Sequence, residues 1–401
     1  MIAGIVGKPN TGKSTFFNAA TLLNVPMANY PFTTIEPNFG IGYVRVKCVC
    51  RSLGVQDRPV NSLCVDGNRL IPVKLVDVAG LVPGASSGKG LGNKFLDDLR
   101  QADVLIHVVD ASGSTDQEGR LRPAGSCDPR EDVVFVDQEF ELWLHGIIMK
   151  DWPRIARTAE AGLGKLSAML AERLSGLSVG EAVILAVIHK LGLKGDRPTL
   201  WDEEDLLNFT RMLRTLSKPA IVAANKADLP TAAGNIEVLQ KTERLVIPCA
   251  AEAELLLRRA SEKGLIRYLP GDSSFTIADQ GSLKPEQLKA LNLVSDRVLR
   301  VWGSTGVQRT INSAYLDLWG GIVVYPVEDE NRFSDRKGNI LPDAYVVKKG
   351  STAKDLASKV HSELGRTFLY AVDAKTGVRL GADYELKDSD VVKIVATGKR
   401  G

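Results

Sequence analysis

Ile2-Ala3-Gly4-Ile5-Val6-Gly7-Lys8-Pro9-Asn10-Thr11-Gly12-Lys13-Ser14-Thr15 is the stretch that decides the fold. Its first five residues read as a buried strand and the residues after Lys13 as a helix, so the G-x-x-x-x-G-K-[ST] pattern from Gly7 to Ser14 has the strand-to-helix setting of a phosphate-binding loop. Glycines let the backbone curl until consecutive N–H groups and the helix N-terminus face phosphate oxygens, while Lys13 brings a mobile positive charge to the β and γ phosphates. Ser14 is the expected magnesium ligand.

Working outward, further strands are expected at residues 72 to 77 and 104 to 109, alternating with Gly-rich turns and helices in the manner of a parallel sheet covered on both faces. Asp77-Val78-Ala79-Gly80 follows the first of these and places a carboxylate at the carboxyl end of a parallel strand, the edge where ligands bind. There Asp77 approaches magnesium beside Ser14, and Gly80 turns its N–H toward a γ phosphate. From about 127 to 205 the pattern becomes amphipathic helix, with Ile155, Leu163, Leu166, Leu170 and Leu174 at roughly helical intervals. Strand signals return at Ala220 to Ala224 and at Leu245 to Pro248, so the helical stretch reads as an insertion within one domain. Directly after the first of these comes Asn225-Lys226-Ala227-Asp228. Asp228 can accept two hydrogen bonds from guanine N1 and its exocyclic amine, a donor pair that adenine lacks, which argues for GTP over ATP. Asn225 would contact the base edge and tie the base loop to the phosphate loop, with the Lys226 stem covering the ring.

The remainder divides into a helical pattern from Pro285 to Trp302, a Gly-Ser-Thr-Gly break at 303 to 306, and a small α+β region with strands near 322 to 325, 344 to 347 and 391 to 395 flanking a helix near 353 to 364. The expected organisation is a nucleotide-binding domain over 1–270 interrupted at about 127–205, a helical linker over 271–318, and a C-terminal domain over 319–401.

With 401 residues, 44% of them hydrophobic, the chain has material for two or three packed cores. The formal net charge of +3 does not announce a polyanion partner. Five scattered cysteines, with only Cys48 and Cys50 close together, match neither a zinc knuckle nor a disulfide framework and read as reduced thiols, pointing to a cytoplasmic protein. No signal segment or bilayer-spanning run is evident, so no membrane partner is expected. The histidines at 107, 145, 189 and 361 show no metal-like spacing, and His107 reads as structural. Lys150, Arg154, Arg157, Lys165 and Arg173 either track RNA phosphates or form a solvated face, since Asp151, Glu160 and Glu172 are interleaved.

These motifs, together with Tyr30-Pro31-Phe32-Thr33-Thr34-Ile35-Glu36-Pro37-Asn38 and the phrase from Asp77 to Leu91, resemble the Obg and YchF group of translation-associated GTPases, closest to its archaeal and fungal branch. Residues 341 to 395 resemble a TGS domain, a small β-grasp-like module. The fold class implied is α/β, a Ras-like P-loop NTPase with a helical insertion, plus a C-terminal α+β TGS domain. The resemblance implies GTP binding through Gly7, Lys8, Pro9, Asn10, Thr11, Gly12, Lys13, Ser14, Thr15, Asn225, Lys226 and Asp228. It further implies magnesium held by Ser14, Thr34 and Asp77, and catalysis resting on Lys13, Thr34 and Gly80. Thr34 would be the switch I threonine, with Thr33 as its rival. The last base-contacting element falls on Cys249-Ala250-Ala251, where the Ala250 N–H could recognise the guanine oxygen; small-residue packing is the other reading. Leu81 stands where Ras-like enzymes carry a water-positioning glutamine, so slow intrinsic turnover is expected. Asn10 resembles the asparagine of potassium-activated GTPases, or else shapes the loop. The implied partners are GTP and GDP, and the ribosome or ribosomal RNA or tRNA through the TGS domain and the insertion. Two alternatives stand beside this reading: an ATP-hydrolysing relative, whose members carry an acidic variation in the base motif that Asp228 does not show, and a TGS-driven RNA-binding adaptor with little hydrolysis.

Overall fold

The computed structural model describes residues 1–21, 38–78, 80, 84, 99–177, 179–279, 281 and 283–397. In chain order come β1 (Ile2–Val6), α1 (Lys13–Thr21), β2 (Phe39–Lys47), α2 (Cys50–Leu53), β3 (Leu63–Val65), β4 (Asn68–Asp77) and β5 (Val104–Asp110). Helices α3 (Pro129–Met149), α4 (Trp152–Glu160), α5 (Leu166–Arg173), α6 (Glu181–Lys190) and α7 (Glu203–Ser217) follow. Then come β6 (Ala220–Asn225), α8 (Ala232–Gln240), β7 (Val246–Pro248), α9 (Ala251–Glu262), β8 (Ile266–Arg267), β9 (Thr276–Ile277) and α10 (Pro285–Val294). The chain ends with β10 (Gly321–Val327), β11 (Tyr345–Lys348), α11 (Ala353–Val360), β12 (Phe368–Asp373), β13 (Arg379–Leu380) and β14 (Asp390–Ala396). Two compact units form, Met1–Ala19 with Leu75–Thr310, and Ala20–Lys74 with Ile311–Gly401.

In the first unit β1, β5, β6 and β7 are parallel neighbours, in register through Ile5 and Ile106, Ile106 and Ile221, and Ala223 and Ile247. The carboxyl end of β4 borders β1, where Val78 N–H donates to Ile5 O at 3.1 Å. Every residue of β5 is buried, as a parallel strand covered on both faces requires. All these strands end at the same edge, which carries the phosphate loop, Asp77, Asp110 and Asn225.

The helical insertion has its own core. Asp128 caps α3 by accepting from Arg130 N–H, Pro129 supplies the fixed φ of the first turn, and Glu131 and Asp132 favour the positive helix end. Leu144, Ile155, Leu170, Ile184, Phe209 and Leu213 pack together, and Trp201 lies against Trp152 and Phe209 at ring-centroid distances of 5.1 and 5.3 Å. Each such burial stabilises by roughly 2 kcal/mol. The insertion therefore runs to Ser217 rather than to about 205, because α7 buries Leu206, Phe209 and Leu213 in this core. Lys150, Arg154, Arg157 and Lys165 are exposed, whereas Arg173 pairs with Asp151 at 3.1 Å and donates to Ile147 O. Among the described residues no helix is long and apolar enough to cross a membrane.

The region expected as a linker over 271–318 is divided. Leu291, Val294, Val298 and Leu299 pack on Leu257 of α9, so the chain to Thr310 belongs to the first unit. In the second unit a sheet of order β11-β10-β14-β12-β13 has β10 and β14 parallel and its other pairs antiparallel. Helix α11, capped by Thr352 and Asp355, packs Ala353 and Leu356 on one face of that sheet, the β-grasp arrangement. Residues 39–74, expected within the nucleotide-binding domain, also pack in this unit. Asn312 exchanges hydrogen bonds with the Arg45 backbone, and Arg58 and Val60 N–H groups donate to Ile340 and Pro342 carbonyls.

Candidate functional site

Between β1 and α1 the chain turns through Gly7, Asn10 and Gly12 at φ of 146°, 62° and 92°. A Cβ on Gly12 would strike the Asn225 amide, so a side chain there is excluded by both conformation and contact. Buried Lys13 lays its Nζ on the Lys8 carbonyl at 2.7 Å. Burial pulls its pKa down to about 8, against the opposing pull of the Asp77 carboxylate. A phosphate oxygen is a stronger acceptor than the carbonyl it now holds.

Lys8 points away from that function. Its Nζ pairs with Asp132 in the first turn of α3 at 2.7 Å and donates to Thr115 O at 2.8 Å, all of it buried. Burial raises the Asp132 carboxyl to about 6, partly offset by Lys8. The side-chain charge of Lys8 is thus neutralised within the fold, and the loop position offers backbone only. Thr11 Oγ1 donates to Lys8 O at 3.2 Å, and Asn10 Nδ2 donates to Gly119 O at 2.9 Å.

Ser14 Oγ donates to Asp77 Oδ2 at 3.3 Å, bringing two hard oxygen donors together at the start of α1. Their chemistry suits magnesium, which prefers carboxylate and hydroxyl oxygens. Gly80 lies over the loop, since a Cβ built there would stand 3.3 Å from Lys13 Nζ and 3.4 Å from Pro9 Cγ. Thr15 is half-buried in the first turn of α1. Thr33, Thr34 and Leu81 lie outside the described residues.

On the base side, Asn225 Nδ2 donates to Thr11 O at 2.9 Å and its Oδ1 accepts from Ala251 N–H at 3.0 Å. Three segments meet on one amide, and both of its ends are used internally rather than facing a base. Lys226, at φ 62°, pairs its Nζ with Asp110 at 2.8 Å. Burial pushes the Asp110 carboxyl upward, but hydrogen bonds from Lys226, Ser112 and Ser114 more than reverse this and leave it below its ordinary value. Asp228 is half-buried, and its carboxylate has no partner among the described residues.

The element at 249 to 251 requires a correction. Ala250 N–H donates to Thr305 O at 2.9 Å, Cys249 N–H to Ala224 O at 2.8 Å, and Ala251 N–H to Asn225. None of the three is left for a guanine oxygen. The physical reason is the 303 to 306 break, which folds against this element. Cys249 Sγ lies 3.2 Å from Thr310 Oγ1, and a Cβ on Gly306, at φ 82°, would collide with Pro248 O.

Sequence reading missed Asp132, Asp110 and Thr305. The Asp110-x-Ser112-x-Ser114-Thr115 string is an Asx-turn and hydroxyl signal that could have exposed Asp110. Asp132 and Thr305 act across 124 and 55 residues, and no local pattern marks them. His107 is buried as expected, and burial drives its pKa down to about 3, so it stays neutral.

Comparison with known proteins places the chain. Residues 2–136 match the family described as 50S ribosome-binding GTPase, residues 223–329 the Obg-like GTPase YGR210-like, G4 motif-containing domain, and residues 337–396 the TGS domain. A GTP-binding protein of Methanocaldococcus jannaschii is 53% identical over 99% of both chains. A crystal structure of a GTP-binding protein from Pyrococcus horikoshii is 42% identical, covers 99% of this chain and 100% of that one, and has a TM-score of 0.78. The ribosome-binding ATPase YchF of Bacillus subtilis is 28% identical over 98% of both chains. The motifs, the β-grasp domain and these full-length relatives agree: the chain belongs to the YchF-type, Obg-like family of GTP-binding proteins.

Proposed function

We propose that this protein hydrolyses GTP to GDP and phosphate slowly, as a switch that acts with the ribosome in the cytoplasm. The observation that carries the reading is the Asp228 carboxylate, without a partner among the described residues, three positions after an Asn225 amide that is locked to the phosphate loop. An acceptor-only group in that place selects a base with two adjacent donors. Ser14, Thr34 and Asp77 would hold magnesium, which supplies positive charge to the β and γ phosphates when bound. Lys13 would transfer its hydrogen bond from the Lys8 carbonyl to a phosphate oxygen, and Gly80 would offer its N–H to the γ phosphate. The Asn10 side-chain oxygen is the group a potassium ion would take, its Nδ2 being held by Gly119. Equal hydrolysis rates in sodium and potassium would remove that part.

Support for the ribosome as partner comes from the name of the B. subtilis relative, from the family matched over residues 2–136, and from the exposed basic residues of the insertion. The RNA contact would use that insertion and the TGS domain.

The test is calorimetric titration with GDP, a non-hydrolysable GTP analogue and the matching ATP analogue in magnesium, followed by phosphate release and ribosome co-sedimentation in each nucleotide state. Guanine binding, GTP-dependent phosphate release and state-dependent co-sedimentation uphold the proposal. A second reading, ATP hydrolysis, is favoured by one observation: the Ala250 N–H that would reward a guanine oxygen is held by Thr305. Preferential adenine binding would select it.

A further inference from the structure

Four side chains that the sequence spacing scatters meet in the second unit. Cys48 follows β2, Cys50 opens α2, Asp57 lies in the next loop and Cys64 sits in β3. One ligand atom from each lies within 4.8 Å of all the others. The Cys50 and Cys64 sulfurs are 4.0 Å apart, and Cys48 Sγ donates to Asp57 Oδ2 at 3.2 Å. Around a tetrahedral zinc ion, with Zn–S about 2.3 Å and Zn–O about 2.0 Å, neighbouring sulfurs stand about 3.8 Å apart and sulfur and oxygen about 3.5 Å. The cluster reaches that geometry by contracting its widest separation by about 1 Å.

We infer that Cys48, Cys50, Asp57 and Cys64 form a structural zinc site that closes the excursion between β2 and β4. The donor set decides the metal class. Three thiolates are soft ligands that select zinc over magnesium or calcium, and four protein donors leave no open position for catalysis. A disulfide is a poorer account, because 4.0 Å between Cys50 and Cys64 is about twice an S–S bond and would leave Cys48 and Asp57 unexplained.

The surroundings fit. Three thiolates and a carboxylate around a divalent ion leave two excess negative charges, and the fully buried guanidinium of Arg69 cancels one of them. Its Nη1 pairs with Asp57 Oδ2 at 2.8 Å, and Nη2 donates to Leu341 O. Such an outer contact orients a ligating carboxylate. The excursion also needs a staple. Over residues 48–65 the regular structure is the four-residue α2 and the three-residue β3, and Val49 is the one buried apolar side chain besides Cys48 and Cys50. So little apolar burial is the situation in which a bound metal adds most to folding. The segment's hydrogen bonds to Ile340 and Pro342, and that of Asn61 to Asp343 at 2.5 Å, would then depend on the metal.

The experiment uses the full chain purified under reducing conditions. Elemental analysis is expected to find about one zinc per chain. Chelator-stripped protein titrated with cobalt(II) is expected to give the near-ultraviolet thiolate-to-metal band and the intense visible bands of a tetrahedral ion. The Cys48→Ser/Cys64→Ser double variant should lose at least about tenfold in zinc affinity while keeping its GDP affinity. Should that variant fail to fold, competition between wild-type protein and a chromophoric zinc chelator decides alone. Wild-type protein that neither carries nor competes for zinc overturns the inference. So does a Cys50–Cys64 disulfide found by mass spectrometry, iron in place of zinc, or full zinc affinity in the double variant.

Discussion

The phosphate side and the base side of the nucleotide site are built on opposite plans. Around the phosphates the polar groups are held by exchangeable partners: Lys13 by a carbonyl, Ser14 by the Asp77 carboxylate at a long 3.3 Å. Around the base they are locked, with the N–H groups of Cys249, Ala250 and Ala251 and both ends of the Asn225 amide all paired within the fold. In the proposed function, phosphate and magnesium would be recognised by groups that change partners, whereas base choice would fall to Asp228, whose carboxylate has no partner among the described residues.

The largest expected effect breaks the scaffold of the phosphate side. Asp132→Ala leaves the buried Lys8 ammonium uncompensated and should cost about 3–5 kcal/mol of stability in urea unfolding. The same pair carries a pH signature. The folded carboxyl titrates at about 6, above its ordinary 3.8, so its contribution to stability is fully present below the lower value and is lost as pH rises through the upper. Against Asp132→Asn, the wild type should therefore lose up to about 3 kcal/mol between pH of about 4 and about 7; a flat difference would show that the pair does not titrate.

Next, Lys13→Ala should weaken GTP and ATP analogues alike, by about 2–3 kcal/mol in calorimetry, because it removes a charge-assisted bond that ignores the base. Asp228→Ala should instead cost about 2 kcal/mol for guanine nucleotides and nearly nothing for adenine ones. Equal losses for both bases would erase the contrast between the two sides.

Much of this was legible in the sequence. The phosphate loop, Asp77 and Asn225 to Asp228 are short local patterns at strand ends, and each strand expected in the first unit forms within a few residues of its place. What escaped depends on distance along the chain. Lys8 and Asp132, Ala250 and Thr305, and Cys64 with Cys48, Cys50 and Asp57 are brought together by topology, and none leaves a periodic trace. The pair Cys48 and Cys50 was set aside because its spacing matches no knuckle, yet the turn into α2 and the register of β3 on β4, with Cys64 opposite Arg69, supply the missing ligands. The helical insertion ran longer than expected because α7 belongs to it by packing, which composition cannot reveal.

The bridging amide of Asn225 has a kinetic corollary. By tying the phosphate loop to the strand end that leads into Asp228, it sets the separation between the two proposed recognition points before any nucleotide arrives. Once one end of a nucleotide is engaged, the other end meets its site at a high effective concentration, so the two contacts act as a chelate rather than as independent bonds. Loosening that single joint should therefore show first as faster nucleotide escape, with little change in how quickly nucleotide is captured.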